Sequence, residues 1–404
     1  MDRAELVELL TPSGLALLDS VAAGTPSELV STVTRLRAEG HPAALVSAVL
    51  GQARLRARAS RKFGPFAERM LFTQAGLEQA TRLRVAALHA GRFASAGLTR
   101  VVDLGCGIGG DALALASLDI AVTAVEIDEV TAAIASYNLA PFPSSSVVHA
   151  DARDVDIDGF DAVYADPARR SAGHSETTRV TDPDEYTPSL DLLWEIAGRK
   201  PVGIKLGPGF DRSRIPDDVE AQWVSVDGDV VELGLWTGVL AREGVRRSAL
   251  VVSDAGAAEM VSDGDSEDEH VRPIGSYLYE PNGAVIRARL IGDLARRTGA
   301  GILSERIAYL TSDELVATPF AQAFRVIADL PLDEKTIKKE LRTRRVGVLE
   351  VKKRGADIDP AVFRRKMSLS GPESATIVLT RVAGRHRALL VERVPSDETS
   401  VRDS

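Results

Sequence analysis

The sequence predicts an α/β fold: a Rossmann-like sheet, parallel with an antiparallel edge, flanked by an N-terminal helical domain and a C-terminal α/β domain. Three observations carry this. Apolar runs at 100–104, 121–127, 147–150, 162–165 and 202–206 alternate with helical patterns at 110–117 and 129–139, the signature of βαβ units. A glycine-rich turn, Gly105-Cys-Gly107-Ile-Gly109-Gly110, joins the first strand to the first of those helices. Beyond 206 the chain turns to strands without intervening helices, near 224–226, 230–240 and 248–252, as an antiparallel edge requires.

The flanking regions follow from periodicity and charge. Leu6, Leu9 and Leu10, then Leu29, Val33 and Leu36, then Leu45, Val46, Val49 and Leu50 recur at helical spacing, with Pro26 and Pro42 beside the starts. A helical domain over 1–75 and a sheet domain over 76–253 are therefore expected. Between Asp254 and Glu269 stand seven acids and no Lys or Arg, which reads as a solvated linker and, with a helical stretch at 282–298, fills 254–322. A compact α/β segment over 323–395 and a tail over 396–404 complete the chain.

With 404 residues, 45% of them hydrophobic, the chain exceeds what one core usually serves. It has no apolar run near the roughly 18 residues of a membrane span, so no membrane role is expected. Its first ten residues carry Asp2, Glu5 and Glu8 in place of a cationic leader, and Cys106 is its single cysteine; both fit a cytoplasmic, reducing setting. The six histidines lack ligand spacing, and no metal is assigned.

The glycine loop alone fits two nucleotide classes, because Gly105, Gly107 and Gly110 also satisfy the dinucleotide pattern. Acids at successive strand ends separate the two. Asp103 would attract the α-ammonium of S-adenosylmethionine (SAM) and repel a pyrophosphate. Glu126 can accept ribose hydroxyls, and Asp151 can accept from an adenine amine, with room left by Ala152. Asp166-Pro167 follows at the next strand end, where open α/β sheets hold ligands.

On these residues the chain resembles the class I SAM-dependent methyltransferases, within them a bacterial family with a C-terminal THUMP-like domain. The resemblance rests on DLGCGIGGD at 103–111, VEID at 125–128, YADPARR at 164–170, RKFG at 61–64, MLFTQAGLEQATR at 70–82 and LGPGFD at 206–211, with YEPNGAVIRA at 279–288 and LEVKKRG at 349–355 in support. It implies SAM as cofactor, held by Asp103, Gly105, Gly107, Gly109, Asp111, Glu126, Asp128, Asp151, Ala152 and, at the methionine carboxylate, Arg82. Asp166, Pro167 and Arg169 are the catalytic candidates. In relatives that methylate base amines an Asp/Asn-Pro-Pro-aromatic motif fills this place; here Ala168 and Arg169 replace its last two residues. A guanidinium can stack on a flipped base as a ring does. Asp-Pro-Ala/Pro-Arg is also similar to the motif of C5-uridine methyltransferases, but those need a downstream cysteine and Cys106 lies in the glycine loop.

From Lys335 to Lys366 twelve Lys and Arg face four acids, a net +8 inside a chain of net charge −9. That asymmetry is a footprint of phosphate binding. Together with the THUMP-like resemblance it implies a structured, tRNA-like RNA partner, with Lys205, Lys352, Lys353 and Arg354 as contacts. The expected activity is base methylation by direct in-line transfer. Three alternatives stay open: a methyltransferase-fold RNA binder without turnover, a small-molecule methyltransferase, and an NAD(P)-dependent oxidoreductase on the dinucleotide reading.

Overall fold

The computed structural model describes residues 2–21, 26–169 and 186–395, without the side chains of 26–29 and 168–169. The expected tail, Arg170 and the 170–185 segment lie outside them. The chain divides into two compact units, one of residues 1–206 with 235–241, the other of 207–234 with 242–404.

In the first unit helices α1 (Arg3–Leu9), α2 (Pro12–Asp19), α3 (Pro26–Ala38) and α4 (Ala43–Phe63) precede α5 (Gln74–Gln79) and α6 (Leu83–Ser95). Local chemistry sets the starts: Asp2 and Glu5 form a capping box, and Thr11 caps α2 with Pro12 in its first turn. Strands and helices then alternate: β1 (Arg100–Leu104), α7 (Gly110–Ala116), β2 (Ala121–Glu126), α8 (Glu129–Leu139), β3 (Ser146–His149), β4 (Ala162–Ala165), the short β5 (Ala168–Arg169) and β6 (Tyr186–Thr187), α9 (Leu190–Ala197) and β7 (Val202–Leu206). The sheet runs β3-β2-β1-β4-β7, every pair parallel. Strand order reverses between β1 and β4, and the crevice at their carboxyl ends is where such sheets bind ligands.

The N-terminal helices share one core with the sheet. Leu9, Leu36, Val49, Phe63, Phe72, Phe93, Val101 and Ile134 are among its fully buried members. The segment after α4 is tied on both sides: Gln52 bonds the backbone of Phe72, and Asn138 of α8 bonds Leu71 and the Ile108 carbonyl. Residues 70–82 therefore form a wall of the sheet layer.

In the second unit β8 (Glu220–Val226) and β9 (Asp229–Trp236, whose last two residues belong to the first unit) are joined by Asp227 and Gly228, both at positive φ, as a tight hairpin requires. β10 (Arg247–Ser253) pairs parallel with β8, and β11 (Gly256–Ser262) antiparallel with β10. The antiparallel edge is thus present. The expected solvated linker is corrected: 256–262 is a strand, and its surroundings supply the positive charge the acidic run lacks. Glu259 pairs with Arg242, Asp265 with Arg212 and Arg247, and Glu269 with Arg296.

A second sheet contains β12 (Tyr277–Pro281), β13 (Gly301–Ser304), β14 (Ile307–Ser312), β15 (Ala321–Pro331), β16 (Val346–Lys353), β17 (Glu373–Val382) and β18 (Arg385–Arg393), with helices α10 (Gly283–Arg287), α11 (Ile291–Thr298), α12 (Glu334–Thr343) and α13 (Pro360–Met367). Alternation along β17 and β18 builds two cores. Ile377, Leu379, Ala388 and Leu390 meet α12 and α13, whereas Val378, Leu389 and Val391 meet Leu278, Tyr309 and Phe324. Among the described residues no helix is long and apolar enough to cross a membrane.

Arg242 bonds Glu220, whose side chain has no exposed surface, at 2.6 Å, and Glu259 also at 2.6 Å. Arg242→Met leaves Glu220 buried without its cation, and the expected loss is about 3–5 kcal/mol in a urea melt. An unchanged melt would show the pair to be ornamental.

Candidate functional site

Asp103 is the last polar side chain of β1, 1% exposed and in register with Tyr164 of β4. Among the described residues neither of its carboxylate oxygens has a hydrogen-bond partner. Burial pushes its pKa well above the ordinary carboxylate value, and the negative charges of Asp111, Asp166 and Glu126 push the same way against Lys205. A buried, unsatisfied carboxylate among acids is a place built for a cation.

The glycine loop turns directly beyond it. The amides of Gly105 and Cys106 both donate to the Val125 carbonyl, at 2.9 and 3.0 Å, which ties the loop to β2. Gly107 has φ 55° and open space where a side chain would stand, so a ligand can lie against bare backbone there. Glu126, at the end of β2, accepts from the amides of Gly107 (3.0 Å) and Asp128 (2.9 Å), which fixes its carboxylate at the rim. Gly105 packs beside Pro188 and the Asp166 carbonyl. Burial pushes the Cys106 thiol well above its usual value, with Asp103 and Glu126 adding to it.

Of the cofactor candidates, the structure brings Asp103, Gly105, Gly107 and Glu126 together around this turn. Gly109 is the left-handed N-cap of α7 and packs on Ala135 of α8. Two acids have other work. Asp111 points inward, accepting from Thr81 at 2.7 Å beside His89 at 3.5 Å, and burial there is outweighed by the His89 bond, Lys205 and Thr81, lowering its pKa to about 2. Asp128 caps α8, accepting from Thr131 Nα and Oγ1 at 2.8 and 2.7 Å. Both carboxylates are thus engaged by protein groups in this structure. Asp151 stands after β3 with Ala152 beside it, and its carboxylate is paired with Arg153 at 2.7 Å. Arg82, half-buried, is the N-cap residue of α6.

Asp166 follows β4 with its side chain 32% exposed and forms an ion pair with Lys205. Pro167 is buried, and the Arg169 side chain lies outside the described parts. The expected RNA contact at Lys205 is corrected: its side chain is 9% exposed on an interior strand, bonded to Asp166 and, at 2.8 Å, to Thr81. Thr81, His89 and Tyr164, none of them among the site residues expected from the sequence, complete this cluster. Tyr164 Oη lies 3.3 Å from His89 Nδ1. The signal for Thr81 and Tyr164 was their place in the 70–82 and 164–170 motifs; His89 carried none, being a polar group inside an apolar period.

In the second unit, Lys352 pairs with Glu280 at 2.7 Å, and Arg354 donates to the Ala308 carbonyl at 2.7 Å over the Tyr309 ring. Both are used inside the unit, which corrects their assignment as RNA contacts. Lys353 is exposed. Lys335, Lys339 and Arg342 form an exposed stripe on α12, opposite its buried Ile337 and Leu341.

Residues 101–184 match the methyltransferase domain family, 321–393 the THUMP domain-like family and 2–59 a domain of unknown function. Two curated relatives, each named an uncharacterized S-adenosylmethionine-dependent methyltransferase, come from Mycobacterium tuberculosis strains CDC 1551 and H37Rv. Each is 34% identical over 343 residues, spanning 81% of this chain and 90% of the relative. The chain belongs to the S-adenosylmethionine-dependent methyltransferases. The methyltransferase shares its fold with a crystal structure assigned as a methyltransferase from Porphyromonas gingivalis W83, at 21% identity and TM-score 0.76 over 97% of this chain and 99% of that one. Its cofactor is SAM, and the unpartnered Asp103 carboxylate fits the ammonium that SAM carries.

Because Asp111 is held at about 2, well below its unfolded value near 3.8, its stabilisation is complete above that value and is lost as pH falls toward 2. Asp111→Asn is expected to destabilise the methyltransferase by on the order of 2 kcal/mol near neutral pH and to flatten this acid limb in urea melts between pH 2 and 5. Parallel acid limbs for the two proteins would refute the assignment.

Proposed function

We propose that this methyltransferase modifies a base of a structured, tRNA-like RNA, with SAM seated between Asp103 and Glu126 and the acceptor facing Asp166. The observation that carries the reading is the Asp103 carboxylate, buried and unpartnered at the switch point of the sheet. SAM supplies an electrophilic methyl group on a sulfonium. Asp103 binds the ammonium, the bare backbone at Gly107 lets the amino-acid part lie close, and Glu126 accepts from the ribose hydroxyls. Arg82 is assigned to the methionine carboxylate, and Asp151 with Ala152 to the adenine. Gly105 and Gly109 shape the turn. Asp166 accepts a hydrogen bond from the acceptor, and Pro167 fixes the strand exit; the role proposed for Arg169, stacking on the base, rests on the sequence motif alone. In-line transfer needs alignment and closeness more than acid-base chemistry, which suits a site of fixed acceptors.

Two features support RNA as the partner: the THUMP domain-like match and the α12 stripe of Lys335, Lys339 and Arg342, continued by exposed Arg345 and Lys353. Phosphate contacts of this kind need uncompensated exposed cations. A cytoplasmic location fits an RNA substrate and a lone thiol.

Calorimetry with SAM is expected to show binding that Asp103→Ala weakens roughly 100-fold or more, as loss of a charged bond in a buried site requires. Affinity should rise with pH as Asp103 ionises at its elevated pKa, then fall once the SAM ammonium deprotonates above about 8. Full affinity in Asp103→Ala would sink the reading. For the RNA half, bulk tRNA is the probe in filter binding: affinity should fall steeply with salt, and Lys339→Glu with Arg342→Glu should cut it by roughly tenfold and flatten the salt slope. Equal affinity and slope would remove the stripe from the interface.

A further inference from the structure

Lys205 is a buried ammonium with three N–H donors and an unusual set of neighbours. It lies on β7, one strand over from β4, and its Nζ forms an ion pair with Asp166 and donates to Thr81 Oγ1 at 2.8 Å. Asp111 Oδ2 stands 4.0 Å away. Thr81 in turn donates to Asp111 at 2.7 Å, and Asp111 lies beside His89, which touches Tyr164. Among the described residues, the other charged groups around this cluster include Asp103 of β1, Glu126 of β2, Lys62 of α4 and, beside Lys62, Glu78 and Arg82. Lys62 is itself spent on the carbonyls of Leu77, Glu78 and Ala80, at 2.7, 2.7 and 2.8 Å, directly before Thr81. Two lysines thus pin the 77–82 segment, one by its carbonyls and one by its hydroxyl.

We propose that Lys205 is a positioning residue that fixes Asp166 as a hydrogen-bond acceptor and so commits the site to a nitrogen acceptor that attacks with its own lone pair. The inference rests on the reading that Asp166 faces the acceptor. A carboxylate beside a buried ammonium is a weakened base, because taking a proton from a substrate would quench its half of an ion pair and leave the buried ammonium without its counter-charge. Hydroxyl, thiol and carbon acceptors need a base before they attack. An amine or exocyclic amine nitrogen does not. Its lone pair forms the new bond to the methyl carbon, the carbon–sulfur bond breaks with its electron pair left on sulfur, and the extra proton on nitrogen departs to water afterwards. Through that sequence Asp166 holds the N–H in line and remains an anion, and Lys205 prevents it from swinging toward Asp111 or Asp103.

The alternative, that Lys205 merely fills a buried position, makes no statement about the product. Two measurements separate them. In the first, the full-length protein is incubated with SAM carrying a labelled methyl group and RNA from cells lacking the gene, and the modified nucleosides are identified by mass spectrometry. An N-methylated product is expected; an O-, S- or C-methylated product overturns the proposal while the methyltransferase reading stands. Absence of both SAM binding and methyl transfer overturns both. In the second, the Asp166 carboxyl carbon, assigned by its loss in Asp166→Asn, is titrated by carbon-13 NMR. It should titrate at higher pH in Lys205→Met and return toward the wild-type value in Lys205→Arg, with kcat falling on the order of 100-fold in Lys205→Met and recovering most of that in Lys205→Arg. Identical Asp166 titration in wild type and Lys205→Met overturns the proposal. The product measurement needs no variant, so it decides the matter even where Lys205→Met does not fold.

Discussion

The organising constraint is electrostatic. Several carboxylates converge at the carboxyl ends of β1, β2 and β4, and a buried acid must find a cation, a set of donors or a proton. The fold answers this differently for each. Asp111 receives Thr81, His89 and the nearby Lys205. Asp166 receives Lys205, and Glu126 receives two backbone amides. Asp103 has no hydrogen-bond partner among the described residues, and burial raises its pKa. A buried carboxylate left in this state among other acids costs folding free energy that a ligand cation would offset.

The N-terminal helices serve this constraint. Burial of Leu71 and Phe72, the paired bonds of Gln52 and the bridge of Asn138 bring the 70–82 segment against the glycine loop, where Gly110 lies against Phe63 and Ala80. Thr81 is delivered to both Lys205 and Asp111 as a result. A region that reads as a separate helical domain in the sequence, 1–75, thus shares the core of the sheet and, through Lys62, holds the segment that carries Thr81.

The sheet was legible because parallel, fully covered strands leave unbroken apolar runs: Arg100–Leu104, Ala162–Ala165 and Val202–Leu206 have the same bounds in sequence and structure. The glycine loop and the strand-end acids were legible because their chemistry is local. What stayed hidden was pairing across distance. Lys205 meets a hydroxyl 124 positions away, so its spacing in the chain carries no trace of the contact. The acidic run at 254–269 reads as a linker because its balancing charges, Arg212, Arg242, Arg247 and Arg296, come from other elements. The basic stretch misled for the mirror reason: Lys352 is answered by Glu280 from another strand, whereas Lys335, Lys339 and Arg342 stand exposed on α12.

The most direct test of the central claim is the crystal structure of the full chain with S-adenosylhomocysteine, read at one atom. The ligand's amino nitrogen should lie about 2.7–2.9 Å from an Asp103 oxygen, the distance of a charged hydrogen bond, with the ribose hydroxyls at Glu126. An amino group bound elsewhere, with Asp103 still unpartnered, would contradict the account.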